Sequence, residues 1–484
     1  MKSTKTQTNE ADAKRNSLRS IVTMSMALAI TGGLVACGGS NTGPAPVTTP
    51  TSAAKTVVQV NMGDAPADWM LAFSMNINSL ALTGSNGTFS AVSSGMTMEM
   101  MHLMGTMQPL ALVSAPQGTY TSASISIGSA IVMYMDPATK SVVQKAITGP
   151  ISAAITFTSP IVVGSTPMAI GFDLDLANSV TMDAGGNPKM NPVFHVTSGM
   201  QGAGNPLDSS NGGIQHMMGA VSSTSSNSFS MTSLQAAQTF TFATNLSTSF
   251  DNITNMSMMT GGMLVLVDAS MQPDGSMMAT KVQSMMNAGG VMASGVITSV
   301  TGQPATQLTM VAQNGSGTGM MASAFAAGAS VSISGSTVFQ INQDEIDMSN
   351  LPFAMTFDAK HIYAGQSVMP VSSSGMGSSG GMMGGNSMGG SIASTGVTLE
   401  PQGLSGVVAT TITSGSRTSF ILALPSDCAF TTLTGGNSVI VFQQPGTIVS
   451  GTSPIAGGAI VHVFGLLSMD AGHWKMVAAK IESN

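Results

Sequence analysis

Ser122-Ala123-Ser124-Ile125-Ser126-Ile127 sets polar against apolar residues with a period of two. That alternation belongs to a strand with one face in a core and one in water. Phe73-Ser74-Met75-Asn76-Ile77-Asn78 and Ile155-Thr156-Phe157 repeat it, and Val57-Val58-Gln59-Val60 opens a further strand. Turn formers separate the runs, at Pro116-Gln117-Gly118, Asp136-Pro137 and Gly185-Gly186-Asn187-Pro188. Short strands at this spacing predict an antiparallel β-sandwich over residues 56–200. No stretch carries the 3.6-residue period of an amphipathic helix.

Composition agrees. Hydrophobic residues make up 43% of the 484 and charged residues only 7%, against about 25% in ordinary soluble domains. Ser, Thr, Asn, Gln and Gly supply the polarity, a mixture that favours strands and turns. The formal net charge of −7 becomes −10 once residues 1–36, with five basic and two acidic side chains, are set aside. An acidic body without a basic patch argues against a nucleic-acid partner.

The N-terminus reads as an address. Lys14, Arg15 and Arg19 precede the apolar run Ile21–Leu34, which is too short to span a bilayer as a helix. The run closes on Leu34-Val35-Ala36-Cys37, which resembles the lipobox of bacterial lipoproteins. The resemblance implies a signal peptide over 1–36, cleavage between Ala36 and Cys37, and lipidation of Cys37 by diacylglycerol and a further acyl chain such as palmitate. Gly38 in place of Asp points, by the same analogy, to the outer membrane. Two or three acyl chains hold a protein firmly on a membrane, whereas one is marginal. Residues 37–55, rich in Gly, Ser, Thr and Pro, form a flexible tether. With Cys37 acylated, Cys428 has no disulfide partner and is expected as a buried apolar residue.

Within 56–200, Met62-Gly63-Asp64-Ala65-Pro66-Ala67-Asp68, Gly118-Thr119-Tyr120, Phe172-Asp173-Leu174, Asn178-Ser179-Val180 and Asn191-Pro192-Val193-Phe194-His195-Val196 follow in order. Together they resemble a bacterial lipoprotein domain of unknown function, the DUF4382 type, which brings no known activity. Asp64, Asp68, Asp173 and Asp175 lack the loop spacing of a calcium site and are expected to cap turns.

Three later segments begin alike, at Gly219-Ala220-Val221, Gly295-Val296-Ile297 and Gly406-Val407-Val408. Two end alike. Asp274-Gly275-Ser276 leads to Thr280-Lys281-Val282, and Asp470-Ala471-Gly472 leads to Ala479-Lys480-Ile481, each a hairpin with Lys on its last strand. The pattern resembles the small β-barrel repeats of the DUF5666 type. Copies are expected over 219–290, 294–371 and 404–484, the middle one with its closing hairpin near 357–371. A flexible Gly/Ser/Met-rich loop is expected over 372–400. The predicted chain is therefore all-β: a sandwich, then two or three small barrels. In the loop, formal matches to G-x-G-x-x-G and G-x-S-x-G lack the strand-to-helix context that phosphate binding or a nucleophile needs.

No His pair, paired carboxylate or Ser/His/Asp spacing signals catalysis, so a non-catalytic envelope protein is expected, structural or ligand-binding, with an envelope polymer or protein as further partner and no cofactor. Methionine is the anomaly, at 43 residues. Met96, Met98, Met100, Met101, Met104 and Met107 crowd around His102, and His216-Met217-Met218 repeats the combination. Thioethers are soft ligands that select Cu(I) and also intercept oxidants, which makes copper or silver binding the competing reading. Against it, methionine serves as an adaptable core filler. A third reading, carbohydrate binding, finds only Trp69 and Trp474 to stack on sugars.

Overall fold

The computed structural model describes residues 53–484 apart from 66, 94, 104–105, 201–211, 237, 286–291, 317–327, 344–345, 372–390, 415–416, 452 and 484. Cys37, Ala36, the signal and most of the tether lie outside these residues. The described chain is almost entirely strand, with short helical turns such as Leu176–Ser179 and Ala429–Thr434.

The alternating stretch around Ile125 is part of one long strand, Gly118–Met135, at the centre of a sheet with Met70–Gly84, Gly87–Val92 and Val142–Ile147. The facing sheet runs in the order Phe194–Met200, Met168–Asp175, Lys55–Ala65, Met107–Pro116. Val60, Phe73, Ile77, Ile127 and Phe172 fill the space between the sheets. One pair departs from the antiparallel expectation. Lys55–Ala65 runs parallel to Met168–Asp175, in register from Val58↔Met168 to Ala65↔Asp175. A parallel pair needs a long crossover, and here that connection holds the entire opposite sheet together with the strand Met107–Pro116.

The strand Lys55–Ala65 is buried on both faces. Val58, Val60 and Met62 enter the sandwich core, while Gln59 and Asn61 point the other way and are equally buried, with Gln59 Nε2 donating to Asn61 Oδ1 at 2.8 Å. The first barrel covers this outer face. A Cβ on Gly275, in the turn of its last hairpin, would lie 2.9 Å from Val57, and Gly275 also adopts φ +84°, so only glycine fits.

Three barrels follow, each of five strands in the same order. The first uses Gly213–Thr224, Ser228–Ser233, Thr239–Ala243 continued by Ser249–Asp251, Leu264–Met271 and Met277–Ser284. It closes by parallel pairing of the interrupted third strand with the fifth, Phe242↔Met277 and Ser249↔Lys281. The third barrel, Gln402–Ser414, Arg417–Ala423, Ser438–Gly451, Ile460–Asp470 and His473–Ser483, closes identically through Ile440↔Lys475. Its first and second strands, like those of the others, meet at a glycine. A Cβ on Gly219, Gly295 or Gly406 would lie 2.7, 2.0 or 2.3 Å from a second-strand carbonyl oxygen. This is the close approach that lets a small barrel turn its corner.

The middle copy is a complete barrel, and its boundary is corrected. Its strands are Met292–Thr301, Gln307–Ser316, Ala329–Ser332 continued by Val338–Ile341, Ser367–Val371, and Ser391–Ala393 continued by Gly396–Leu399. Closure is again parallel, Ser330↔Ser391 and Val338↔Gly396. The segment 357–371 holds only the fourth strand. The fifth lies beyond the Gly/Ser/Met tract, which thus connects the two, and Ser391–Ala393 and Gly396–Leu399 are strand rather than loop. The second and third barrels share a core: Leu466, Val477 and Ala479 of the third pack with Ile297, Leu308, Val368 and Leu399 of the second.

Candidate functional site

Side chains that reach across module boundaries are largely glutamines, whose amide both donates and accepts. Gln313 Nε2 donates to the Leu71 carbonyl at 2.7 Å, Gln366 Nε2 to that of Leu467 at 3.0 Å, and Gln402 Nε2 to that of Gly365 at 2.9 Å. The Ala429 N–H, opening the short helix of the third barrel, donates to the Asp68 carbonyl at 2.7 Å. Between these ties the sandwich and the three barrels leave a cavity of about 140 Å³. Its wall takes Met101, His102 and Gln108 from the sandwich, Gln215, His216 and Met218 from the first barrel, Ser294, Ser367 and Met369 from the second, and Leu404, Phe430 and Phe464 from the third.

His102 is fixed by Glu99. Glu99 Oε1 accepts from the N–H of Phe73 at 3.0 Å and of Met101 at 3.1 Å; Oε2 accepts from His102 N at 3.0 Å and Nδ1 at 2.9 Å. A carboxylate only accepts, so Nδ1 carries a proton and Nε2 faces the Gln235 amide 2.9 Å away, on the first barrel. Gln235 Oε1 is buried and has no partner among the described residues. The same carboxylate thus caps the turn Met101–Leu103 and orients the imidazole.

His216 is placed by a bulge. The register of the first barrel's opening strand shifts between Ile214 and Met217, and His216 adopts φ +48° with its N–H donating to Asp268 Oδ1 at 2.7 Å. A left-handed conformation at a non-glycine residue costs about 1–2 kcal/mol and recurs where a chain re-aims a side chain. Here Gln215 and His216 both reach the cavity wall.

The sequence candidates are dispersed otherwise. Met96, Met98, Met100 and Met101 are buried among the aliphatic side chains of the sandwich core, although Met101 also touches the cavity. Met107 lies over Gly63 and Gly171 on the outer face, and Met104 is outside the described residues. Met217 and Met218 point to opposite sides: Met217 enters the core and Met218 the junction, where it packs with Leu266, Met285 and Met369. The structure therefore brings Met101, His102, His216 and Met218 to one cavity while withdrawing Met96, Met98, Met100 and Met217 from it. Met285 and Met369 carried no local motif to reveal them. Among the described residues no group of three His, Cys, Asp or Glu side chains is placed to hold a metal ion.

The aspartates divide. Asp175 caps Leu176–Ser179 through the Asn178 N–H at 3.0 Å, as expected of a turn residue. Asp64 does not cap. It is 4% exposed, neither carboxylate oxygen has a partner among the described residues, and burial, reinforced by Asp173, raises its pKa well above the usual range. Burial likewise raises Asp173 to about 6 and Asp68 to about 7, the latter opposed by hydrogen bonds from Ser405. Ser405 Oγ also meets His462 Nδ1 at 2.8 Å, and burial lowers the pKa of that imidazole. Asp68, Ser405 and His462 thus form a polar chain across the seam between sandwich and third barrel. Ser405 is buried within it. Cys428 is buried, and that burial pushes its thiol up to about 11, far from a nucleophile's range.

Residues 218–283 match the model of a family described as a domain of unknown function, DUF5666. The match spans the first barrel. No curated protein matches the chain.

Proposed function

We propose that this chain is a lipid-anchored protein of the cell envelope, held by Cys37 on the outer membrane, that binds a small ligand in the junction cavity without converting it. The carrying observation is the convergence of four modules on one cavity whose wall combines two oriented imidazoles, several carboxamides and apolar side chains. Such a mixture of apolar walls and few directed polar groups is what small-molecule sites present. The lipobox resemblance and the tether support the anchor, and no helix among the described residues is long and apolar enough to cross a membrane. The resemblance of 56–200 to the DUF4382 type, and the common strand order of the three barrels, support a lipoprotein assembled from both domain types.

Two measurements test this reading. Cys37→Ser is expected to move the protein from the membrane to the soluble fraction and to abolish labelling by radioactive palmitate; unchanged labelling removes the anchor. Native mass spectrometry of the full chain extracted from membranes is expected to show a bound species that the cavity-filling variant Ser294→Phe lacks. A bare mass for the folded wild type removes the ligand.

A further inference from the structure

We propose that the cavity wall between the first and second barrels is a site for a soft monovalent cation, Cu(I) or Ag(I), held by the thioethers of Met218, Met285 and Met369 with His216 at its rim. The proposal rests on the junction cavity being a ligand site and names its occupant.

The placement of the methionines carries it. Met218, Met285 and Met369 are three of the four buried side chains in one packed cluster, the fourth being Leu266. They come from three separate parts of the chain: the opening strand of the first barrel, the residue after its fifth strand, and the fourth strand of the second barrel. Leu234, Leu264 and Val371 surround them. Met218 and Met369 also reach the cavity, as does His216 two residues before Met218. In the sandwich, Met96, Met98 and Met100 are a minority within a large core cluster of mainly aliphatic and aromatic side chains, Met98 lying across from Met75. Three thioethers gathered at a joint between two barrels are a different arrangement.

The chemistry follows from the donors. Thioether sulfur is neutral and polarisable, and it selects Cu(I) and its congener Ag(I) over divalent ions, which prefer carboxylate, imidazole or thiolate. The apolar surround disfavours a strongly hydrated ion and leaves sulfur bonds to replace a weakly held one. Binding is ligand exchange: the cation leaves water or a chelator for sulfur, and no oxidation state changes. His216, aimed to the same wall by its bulge, adds an imidazole nitrogen beside the sulfur set.

The full chain, without its signal, is titrated with Ag(I), and anaerobically with Cu(I) against a competing chelator. It is compared with the triple variant Met218→Leu, Met285→Leu, Met369→Leu, which keeps side-chain volume and removes sulfur. Both proteins carry every other methionine, so background binding cancels. Wild type is expected to take up one more ion per chain and to hold it at least about tenfold more tightly, a difference of about 1.4 kcal/mol. X-ray absorption of the copper-loaded protein is expected to show sulfur neighbours that the variant lacks. Equal stoichiometry and affinity in the two proteins overturn the proposal. If the triple variant does not fold, Met285→Leu and Met369→Leu are compared singly by the same criterion. An organic species retained by native mass spectrometry without an extra ion leaves the ligand-binding reading standing and removes the cation; absence of both removes both.

Discussion

Thr337 Oγ1 donates to the Ser394 carbonyl 3.0 Å away, joining the interrupted third strand of the middle barrel to its fifth. Thr248 makes the same bond to Ala279 at 2.8 Å in the first barrel, and Thr447 to Ala478 at 2.7 Å in the third. Each hydroxyl also accepts from the N–H three residues earlier, Ser334 and Asn245 at 3.0 Å and Gln444 at 2.8 Å. The three bonds align the copies residue for residue, so that Ser394 stands where Ala279 and Ala478 stand.

Replacing Thr337 by Val keeps its shape and strands a backbone donor and acceptor. A loss of about 1–3 kcal/mol is expected in urea unfolding, with Thr337→Ser recovering most of it. Equal losses in the Val and Ser variants would show that the hydroxyl does not carry the contact.

The alignment also sets the length of the connection that replaces the Gly/Ser/Met tract. Residue 391 corresponds to Ser276 and Val371 to Asp268, so Ala269–Gly275 can be grafted in place of 372–390. Shortening this connection is expected to stabilise the barrel slightly, by about 1 kcal/mol of closure entropy. A melting temperature at or above that of wild type supports the alignment; collapse of the middle barrel, seen by hydrogen exchange, contradicts it.

Glu99 is a structural carboxylate with four acceptor contacts, three of them to backbone N–H groups. Glu99→Ala is expected to cost about 2–4 kcal/mol, because buried donors lose a charged partner. It should also free the His102 ring, visible as a changed imidazole tautomer in nitrogen NMR. An unchanged tautomer would show that Gln235 alone orients it.

Asp64, Asp68 and Asp173 all have folded pKa values raised above the unfolded one, chiefly by burial. Between about pH 4 and 7 the folded chain keeps protons that the unfolded chain has released, so stability falls as pH rises through this window. His462, lowered by burial, opposes this below about pH 6.5. Below about pH 4 the sign reverses, because Asp136, held low by the Ala138 N–H, and Asp274, held low by the Ser276 hydroxyl, become protonated. The melting temperature is expected to be higher at pH 5 than at pH 8, and Asp64→Asn should flatten the difference. A melting temperature that rises from pH 5 to 8 would refute this.

Strand identity was legible in the sequence because alternation is local: Ser122–Ile127 lies inside an observed strand with its isoleucines buried. Closure of the middle barrel was not. Its fifth strand follows a low-complexity tract and carries Gly396 where the other copies carry Lys281 and Lys480. The cavity was half legible. Adjacency in the sequence groups Met217 with Met218, but the two-residue period of a strand sends them to opposite faces. Met285 and Met369 meet Met218 only because two barrels pack side by side, a long-range fact without a local pattern. The bulge that aims His216 is equally silent, since any residue there would need the same left-handed backbone.

The core shared by the second and third barrels has a consequence in time. Val477 and Ala479, on the last strand, pack with Ile297 and Leu308, about 170 to 180 residues earlier. As the chain emerges from N- to C-terminus, the middle barrel can close its own strands by Leu399, but the apolar side chains that Leu466, Val477 and Ala479 cover wait for the final hairpin to arrive. That hairpin acts as a keystone, and the interval before it arrives is when the nascent chain is most exposed to a chaperone or a protease.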